Sequence, residues 1–118
     1  MTLREKQSLF VILVSKLIKF ASENGFELTF GEAWRSDETA KAYAKSGKGI
    51  SNSLHRVRLA VDFNLFKNGK FIDSSEGHRK LGEFWKSLGA EYGVKTCWGG
   101  DFKKPDGNHY SIEHEGVK

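Results

Sequence analysis

Residues 59–72 read LAVDFNLFKNGKFI, and this stretch decides the fold that the sequence predicts. Large apolar side chains recur at positions 59, 61, 63 and 65, which is typical of a strand that buries one face. Asn68-Gly69 then predicts a tight two-residue turn that leads into a second strand at Phe71-Ile72. The stretch therefore predicts a β-hairpin, and with it an antiparallel sheet.

Elements of both kinds are predicted around this hairpin. In chain order they are a helix at 3–23, a strand at 26–30, a helix at 36–47, a helix that begins at Ser74 or Ser75, and a strand at 109–112. The Gly-rich stretches 46–53 and 97–108 are predicted loops. The predicted class is α+β, with helices packed on one side of a small, mainly antiparallel sheet in a single domain that spans 1–118.

Composition indicates an ordinary folded domain. Hydrophobic residues make up 38% and charged residues 29% of the 118 residues, which argues against disorder. The net charge of +4 suits an anionic polymer as partner. Basic residues do not cluster with aromatic ones along one element, so a nucleic-acid-binding module is disfavoured. The single Cys97 excludes an intrachain disulfide.

The N-terminal helix carries a short apolar run, Leu9 to Val14. Lys16 and Lys19 interrupt it and no small-residue cleavage site follows. The run is too short to span a bilayer. We therefore expect synthesis in the cytoplasm without an export signal, and no stable membrane association.

Two histidines and a carboxylate could form a metal site. His55 precedes the central strand, Asp62 lies inside it, and His109 begins the last strand. Such a set can hold zinc and leave a fourth position open. Spacing alone leaves this open, because Asp62 could instead pair with Arg56 or Arg58.

Three blocks of sequence resemble those of the cell-wall metallopeptidases. Ser53-x-His55-x6-Asp62, with Ala60, resembles their SxHxxGxAxD signature. Residues 98–102, WGGDF, with Asp106-x-x-His109 after them, resemble the second block, and residues 33–36, AWRS, an earlier G-[YF]-R-[ST] segment. The family is the LAS type: L-alanyl-D-glutamate endopeptidases and D-Ala-D-Ala carboxypeptidases, including VanX/VanY-like enzymes and phage endolysins.

The resemblance implies roles for individual residues. The implied zinc ligands are His55, Asp62 and His109. Asp106 would be the general base and Arg35 would stabilise the oxyanion at the scissile carbonyl. Ser53 would orient the metal loop or the substrate. Trp98 is a candidate substrate contact, although a tryptophan in such a position is more often part of the core.

Other interpretations remain for several of these residues. Arg35 could pair with Asp37 or Glu38 at the surface, and Asp106 could merely form a turn in Pro105-Asp106-Gly107. His78 is predicted at the surface of the third helix, and neither it nor His114 is expected to bind metal.

The sequence also departs from the family. Leu59 stands where relatives often have Gly, Ala40 where many have Gln, and Asn108 where Pro often precedes the last His. Relatives often carry Glu at the position of Asp106. These differences leave the substrate preference open.

The resemblance implies a zinc peptidase that hydrolyses peptidoglycan stem peptides, with L-alanyl-D-glutamate as the expected bond. We expect a monomeric endolysin of phage or prophage type, which acts in the periplasm or wall after a separate protein opens the membrane. The alternatives are a D-Ala-D-Ala carboxypeptidase, an inactive wall-binding or virion module with the same fold, and a cysteine peptidase that uses Cys97 with His109.

Overall fold

The computed structural model describes all residues, 1–118, and has three α-helices and five strands. In chain order these are α1 (Leu3–Glu23), β1 (Phe26–Phe30), α2 (Asp37–Lys45), β2 (Ala60–Lys67), β3 (Lys70–Ile72), α3 (Arg79–Tyr92), β4 (Thr96–Trp98) and β5 (His109–Ile112). Three short 3-10 turns, at Leu54–Val57, Glu76–His78 and Gly99–Asp101, connect them. The predicted α+β class is confirmed.

The sheet is antiparallel at every pairing. Its order is β1-β2-β5-β4, and β3 pairs with the end of β2. Asn68 and Gly69 both have positive φ, at 53° and 76°, as a two-residue hairpin turn between β2 and β3 requires. The hairpin predicted from the sequence is therefore confirmed, and β2 is the central strand.

The hydrophobic core lies between the sheet and helices α1 and α3. The inward residues of β2 and of the segment before it are at most 3% exposed: Leu59, Val61, Phe63 and Leu65. Phe10 of α1 meets Trp85 of α3 edge to face, with ring centroids 5.8 Å apart. Because side chains alternate along a strand, Asp62 points to the other face of β2, away from this core.

Helix α1 begins and ends where local chemistry dictates. Thr2 accepts a hydrogen bond from the backbone of Glu5, whose carboxylate accepts one from the backbone of Thr2, so the helix opens with a capping box. It ends at Asn24, which is followed by Gly25 with φ of 79°. None of the helices combines the length and apolarity needed to cross a membrane.

Two predicted boundaries were wrong. Helix α3 begins at Arg79, after the 3-10 turn at Glu76–His78. The Ser74 hydroxyl accepts a hydrogen bond from Gly77 N (3.0 Å) at the start of this turn, whereas the Ser75 hydroxyl accepts one from Gly107 N of a distant loop (2.9 Å). Residues 97 and 98, predicted in a loop, belong to β4, because the sheet extends to pair them with β5. The pairing of β4 with β5 is a tertiary contact that the local sequence does not reveal.

Candidate metal centre and active site

Sheet register brings Asp62 and His109 together. They are directly opposed partners in the β2–β5 ladder, and His109 Nδ1 lies 3.6 Å from Asp62 Oδ1. His55 Nε2 approaches the same oxygen to 3.3 Å from the turn that precedes β2. Ligand atoms of all three residues lie within 4.8 Å of one another, so the structure assembles the trio that the sequence predicts.

The turn that carries His55 is fixed from several directions. The Ser53 hydroxyl accepts a hydrogen bond from His55 N (3.2 Å), which opens the 3-10 turn at Leu54–Val57. Gln7 of α1 donates to the carbonyl of Val57 (2.8 Å) at the other end of the turn. Arg58 closes it in the left-handed conformation, with φ of 57°. The position of His55 therefore depends on the fold and not only on its neighbours in sequence.

One departure from the family signature lies at Arg58 and not, as expected, at Leu59. Counted from Ser53, the glycine of the SxHxxGxAxD signature falls at position 58 and not at Leu59. Glycine suits that position because the backbone there is left-handed, a conformation that costs other residues about 1–2 kcal/mol. Leu59 itself is fully buried in the core. The departure is thus at Arg58, whose guanidinium lies over the Trp34 ring, 5.0 Å from its centroid.

The trio has the properties of a cation site. His55 and His109 are 2% and 6% exposed, and Asp62 Oδ1 and His109 Nε2 are buried without a hydrogen-bond partner. Such unpaired buried atoms are costly, and a bound cation would satisfy the carboxylate oxygen. Burial raises the pKa of Asp62, but the neighbouring imidazoles of His55 and His109 outweigh it and lower that pKa to about 2. The carboxylate is therefore ionised and ready to bind a metal.

Asp62 has no arginine partner. Arg56 pairs with Asp37 at 3.3 Å, and Arg58 faces Trp34. The alternative in which Asp62 forms a structural ion pair with either arginine is therefore wrong.

Asp106 lies in the loop between β4 and β5, beside the trio. The backbone of Asp106 donates to Gly99 O (2.8 Å), and His109 N donates to Asp106 O (3.0 Å). The residue as a whole is exposed, yet loss of hydration where it lines the cleft raises the pKa of its carboxyl group above the usual range. The negative charge of Asp62 raises it further, against the opposing effect of His109.

The loop that carries Asp106 is anchored to the core. Trp98 Nε1 donates to Gly107 O (2.7 Å), and Gly107 N donates to the Ser75 hydroxyl (2.9 Å). Gly99 makes the close approach possible, because a Cβ there would lie 1.9 Å from Asp106 O. The WGGD segment therefore serves as the support on which this loop rests.

Arg35 reaches the site from the segment between β1 and α2. Its backbone N–H donates to His55 O (3.2 Å), and its guanidinium packs over the Tyr43 ring of α2, 4.7 Å from the centroid. Its ion-pair partner is Glu32, not Asp37 or Glu38. The alternative in which Arg35 pairs with Asp37 or Glu38 at the surface is thus wrong, and the side chain is only 11% exposed.

Glu32 was missed by the sequence analysis. One oxygen of its carboxylate contacts Arg35 and lies 3.9 Å from His55 Nδ1. In the sequence, an acidic residue three positions before Arg35 indicates an ion pair only weakly. Only the fold shows that Glu32 lies near His55.

A single cleft of about 410 Å³ contains most of the predicted site residues. Those that line it are Arg35, Ser53, His55, Asp62, Asp106 and His109. A second cavity of about 610 Å³ adjoins it and shares Ile50, Phe102 and Lys118 with it. Concave, partly apolar surface beside convergent polar groups is typical of a binding site.

Four residues considered in the sequence lie outside this cleft: Trp98, Cys97, His78 and His114. Trp98 borders the second cavity but is only 1% exposed. Cys97 is buried in strand β4, and burial raises the pKa of its thiol, which disfavours a nucleophilic role. His78, expected at the surface, is 3% exposed, and its Nδ1 forms a 2.8 Å hydrogen bond with the Tyr110 hydroxyl. His114 lies outside the trio and contacts Lys6.

Comparisons with known proteins identify a family and a similar fold. A model of the D-alanyl-D-alanine carboxypeptidase family matches residues 46–112, which include all three members of the trio. Among solved structures, the L-Ala D-Glu endopeptidase ChiX of Serratia marcescens has a similar fold, with a TM-score of 0.69. The two sequences are 22% identical over 86% of this chain and 77% of that one. No curated protein sequence is significantly similar.

Proposed function

Because the chain belongs to the D-alanyl-D-alanine carboxypeptidase family and is therefore a peptidase, we propose that it is a zinc-dependent peptidoglycan hydrolase that cuts the L-alanyl-D-glutamate bond of stem peptides. The observation that carries this proposal is the convergence of the His55–Asp62–His109 trio, Asp106 and Arg35 in one cleft. The WGGDF block resembles the endopeptidase branch, and the fold resembles an endopeptidase, so both favour this bond.

The residues of the trio fit zinc. Two imidazoles and one carboxylate are a frequent ligand set of catalytic zinc, which leaves a position for a reactant. Zinc held by His55, Asp62 and His109 would polarise the scissile carbonyl and increase the acidity of water.

Asp106 would move the proton in hydrolysis. Its carboxylate would accept a proton from the attacking water and pass it to the amine that leaves. The backbone bonds to Gly99 and His109 fix the position of Asp106 among the residues that line the cleft. Its side chain is one methylene shorter than the glutamate of many relatives, so its reach depends on this anchoring.

Arg35 would stabilise the negative charge that develops on the carbonyl oxygen. A guanidinium donates several hydrogen bonds in a fixed plane, and its stacking on Tyr43 restricts its rotation. Because Arg35 is 11% exposed, charge on the substrate oxygen would be poorly screened there.

Ser53 and Trp98 would support the site. Ser53 fixes the turn of His55 and lines the cleft, where it can also meet the substrate. The burial of Trp98 favours a role in holding the Asp106 loop over the expected direct contact with substrate.

The charge around the cleft suits a peptide with free carboxylates. Lys48, Lys104 and Lys118 line it and form no ion pair. Stem peptides carry such carboxylates, and an unpaired ammonium attracts them. The adjoining cavity, which shares Phe102 with the cleft, offers space for more of the wall polymer.

We further propose that the protein acts as a monomeric endolysin of phage or prophage type. It would be made in the cytoplasm and reach the wall once a separate protein opens the membrane. The resemblance of the three motif blocks to phage endolysins supports this proposal.

A D-Ala-D-Ala carboxypeptidase is the second candidate, favoured by the description of the matching family. Mass spectrometry of products from purified peptidoglycan of known stem composition separates the two. Peptides that start at D-glutamate, released with zinc and not with a chelator, are the expected result. Loss of terminal D-Ala alone would establish the carboxypeptidase. If folded, zinc-loaded protein released nothing from several wall types, the chain would be an inactive wall-binding module.

A further inference from the structure

Glu32 lies between two parts of the site that the proposed chemistry uses separately. Its Oε1 accepts a hydrogen bond from Arg35 Nε (2.7 Å) and contacts the terminal guanidinium nitrogen Nη2 as well. The same oxygen is 3.9 Å from His55 Nδ1. The Glu32 side chain is 27% exposed, whereas those of its two partners are at most 11% exposed.

The backbone fixes Glu32 against the metal-binding strand. Asp62 N donates to Glu32 O (2.9 Å), and Gly31 N donates to Asp62 O (2.8 Å). A Cβ at position 31 would lie 3.0 Å from Asp62 O, so glycine allows this close approach. The segment that ends with Arg35 is thus bonded to the backbone of both Asp62 and His55.

His55 needs an acceptor at its second ring nitrogen. Its Nε2 faces Asp62, while Nδ1 is buried and has no hydrogen-bond partner. A neutral imidazole carries one proton, so Nε2 offers a lone pair to a metal only when the proton is on Nδ1. Glu32 is the one carboxylate within 4 Å of Nδ1, and an approach of about 1 Å would form the hydrogen bond.

We propose that Glu32 is a positioning residue that holds His55 in the Nδ1-protonated tautomer and at the same time orients Arg35. The inference rests on the proposed metal centre and deepens it, because one carboxylate then links a metal ligand to the group that binds the oxyanion. Carboxylates that accept from metal-bound histidines fix the ring and raise its basicity, and their loss weakens metal binding about 10–100-fold.

The test uses three substitutions of Glu32 and one control in the full-length protein. Glu32→Ala removes the acceptor, Glu32→Gln keeps an acceptor oxygen of the same reach without the charge, and Glu32→Asp keeps the charge with a shorter reach. Glu38→Ala is the control, because Glu38 is an exposed acid on α2 without an ion pair. Competition with a chromogenic chelator measures the zinc dissociation constant of each folded variant.

The expected result is a dissociation constant about 10–100-fold higher for Glu32→Ala. The rise should be smaller for Glu32→Gln, whose amide oxygen still accepts a hydrogen bond, and absent for Glu38→Ala. In ¹⁵N spectra of histidine-labelled protein, His55 should be protonated at Nδ1 in the wild type, and this signal should be lost or exchange rapidly in Glu32→Ala. An unchanged zinc affinity together with an unchanged tautomer would overturn the proposal and leave Glu32 as an ion-pair partner of Arg35.

This experiment separates the two proposals. The ¹⁵N spectra of the metal-free protein report the His55 tautomer even if zinc does not bind or no wall peptide is cut. A wild type that fails to bind zinc but shows the Glu32-dependent tautomer would refute the proposed metal centre alone.

Discussion

Replacing Gly99 by alanine tests whether the Asp106 loop is positioned by close backbone contact. A Cβ at position 99 would lie 1.9 Å from Asp106 O and 2.9 Å from His109 Cβ. Neither neighbour can move freely, because Asp106 O accepts from His109 N and His109 is held in strand β5. The added methyl group must therefore push the WGGD segment and the Asp106 loop apart.

The magnitude follows from the contacts that this separation breaks. The hydrogen bond from Asp106 N to Gly99 O is worth about 1 kcal/mol, and overpacking adds about 1–3 kcal/mol. We expect Gly99→Ala to lower the free energy of unfolding by about 3 kcal/mol. For a domain of this size, that corresponds to a fall in Tm of roughly 12 °C.

Thermal unfolding measures the stability of Gly99→Ala, and zinc titration measures its metal affinity. Gly49→Ala is the matched control. A Cβ at position 49 meets its nearest atom, Arg35 Nη1, at 3.4 Å, an ordinary contact. Because Arg35 is not one of the trio, this variant should remain within about 0.5 kcal/mol of wild type and keep its zinc affinity. Gly99→Ala should also bind zinc more weakly, because His109 is displaced. Equal stability and equal zinc affinity of the two variants would refute the account of the loop.

Three further outcomes are expected. Asp106→Asn should lower kcat by about 10²–10⁴-fold and leave zinc affinity unchanged. Steady-state kinetics and zinc titration measure the two quantities, and an unaltered kcat would show that Asp106 is not the general base. Arg35→Lys should lower kcat by roughly 10²-fold with a small change in KM, and a pure KM effect would contradict its role at the oxyanion. Burial lowers the pKa of His78 to about 4, whereas in the unfolded chain this pKa is about 6.5. Between these two pH values the unfolded state binds a proton that the folded state does not, so the free energy of unfolding falls as the pH decreases from 6.5 towards 4. Allowing for solvent screening, the loss is about 2 kcal/mol, and denaturant titrations of His78→Gln should lack it; equal pH profiles for both proteins would show that His78 is not the source.

The sequence was sufficient for the parts of the fold set by local pattern. Period-2 alternation and Asn68-Gly69 located the β2–β3 hairpin, and the helical repeat located α1 to the residue. The start of α3 was misplaced because a 3-10 turn precedes the α-helix, and one of the two candidate caps, Ser75, bonds instead to Gly107, 32 residues away. Local propensity contains no information about such a partner.

The site was predictable only as a set of residues, not as a geometry. Motif resemblance named His55, Asp62 and His109, but the pairing of Asp62 with His109 depends on the register between two distant strands. Glu32 was missed for the same reason, since only the bonds between Gly31, Glu32 and Asp62 bring its carboxylate to His55. For Trp98 the sequence left open a substrate contact or a place in the core, and the structure buries it.

Zinc titration into metal-free protein, coupled to wall digestion, tests the central claim most directly. The account predicts one zinc bound per chain, loss of stem-peptide release when the metal is stripped, and recovery on addition of one equivalent. It also predicts that Asp62→Asn, nearly the same shape without the charged ligand, neither binds zinc tightly nor digests peptidoglycan. Full digestion by stripped protein, or by Asp62→Asn without bound metal, would contradict the claim that this trio is the catalytic metal centre.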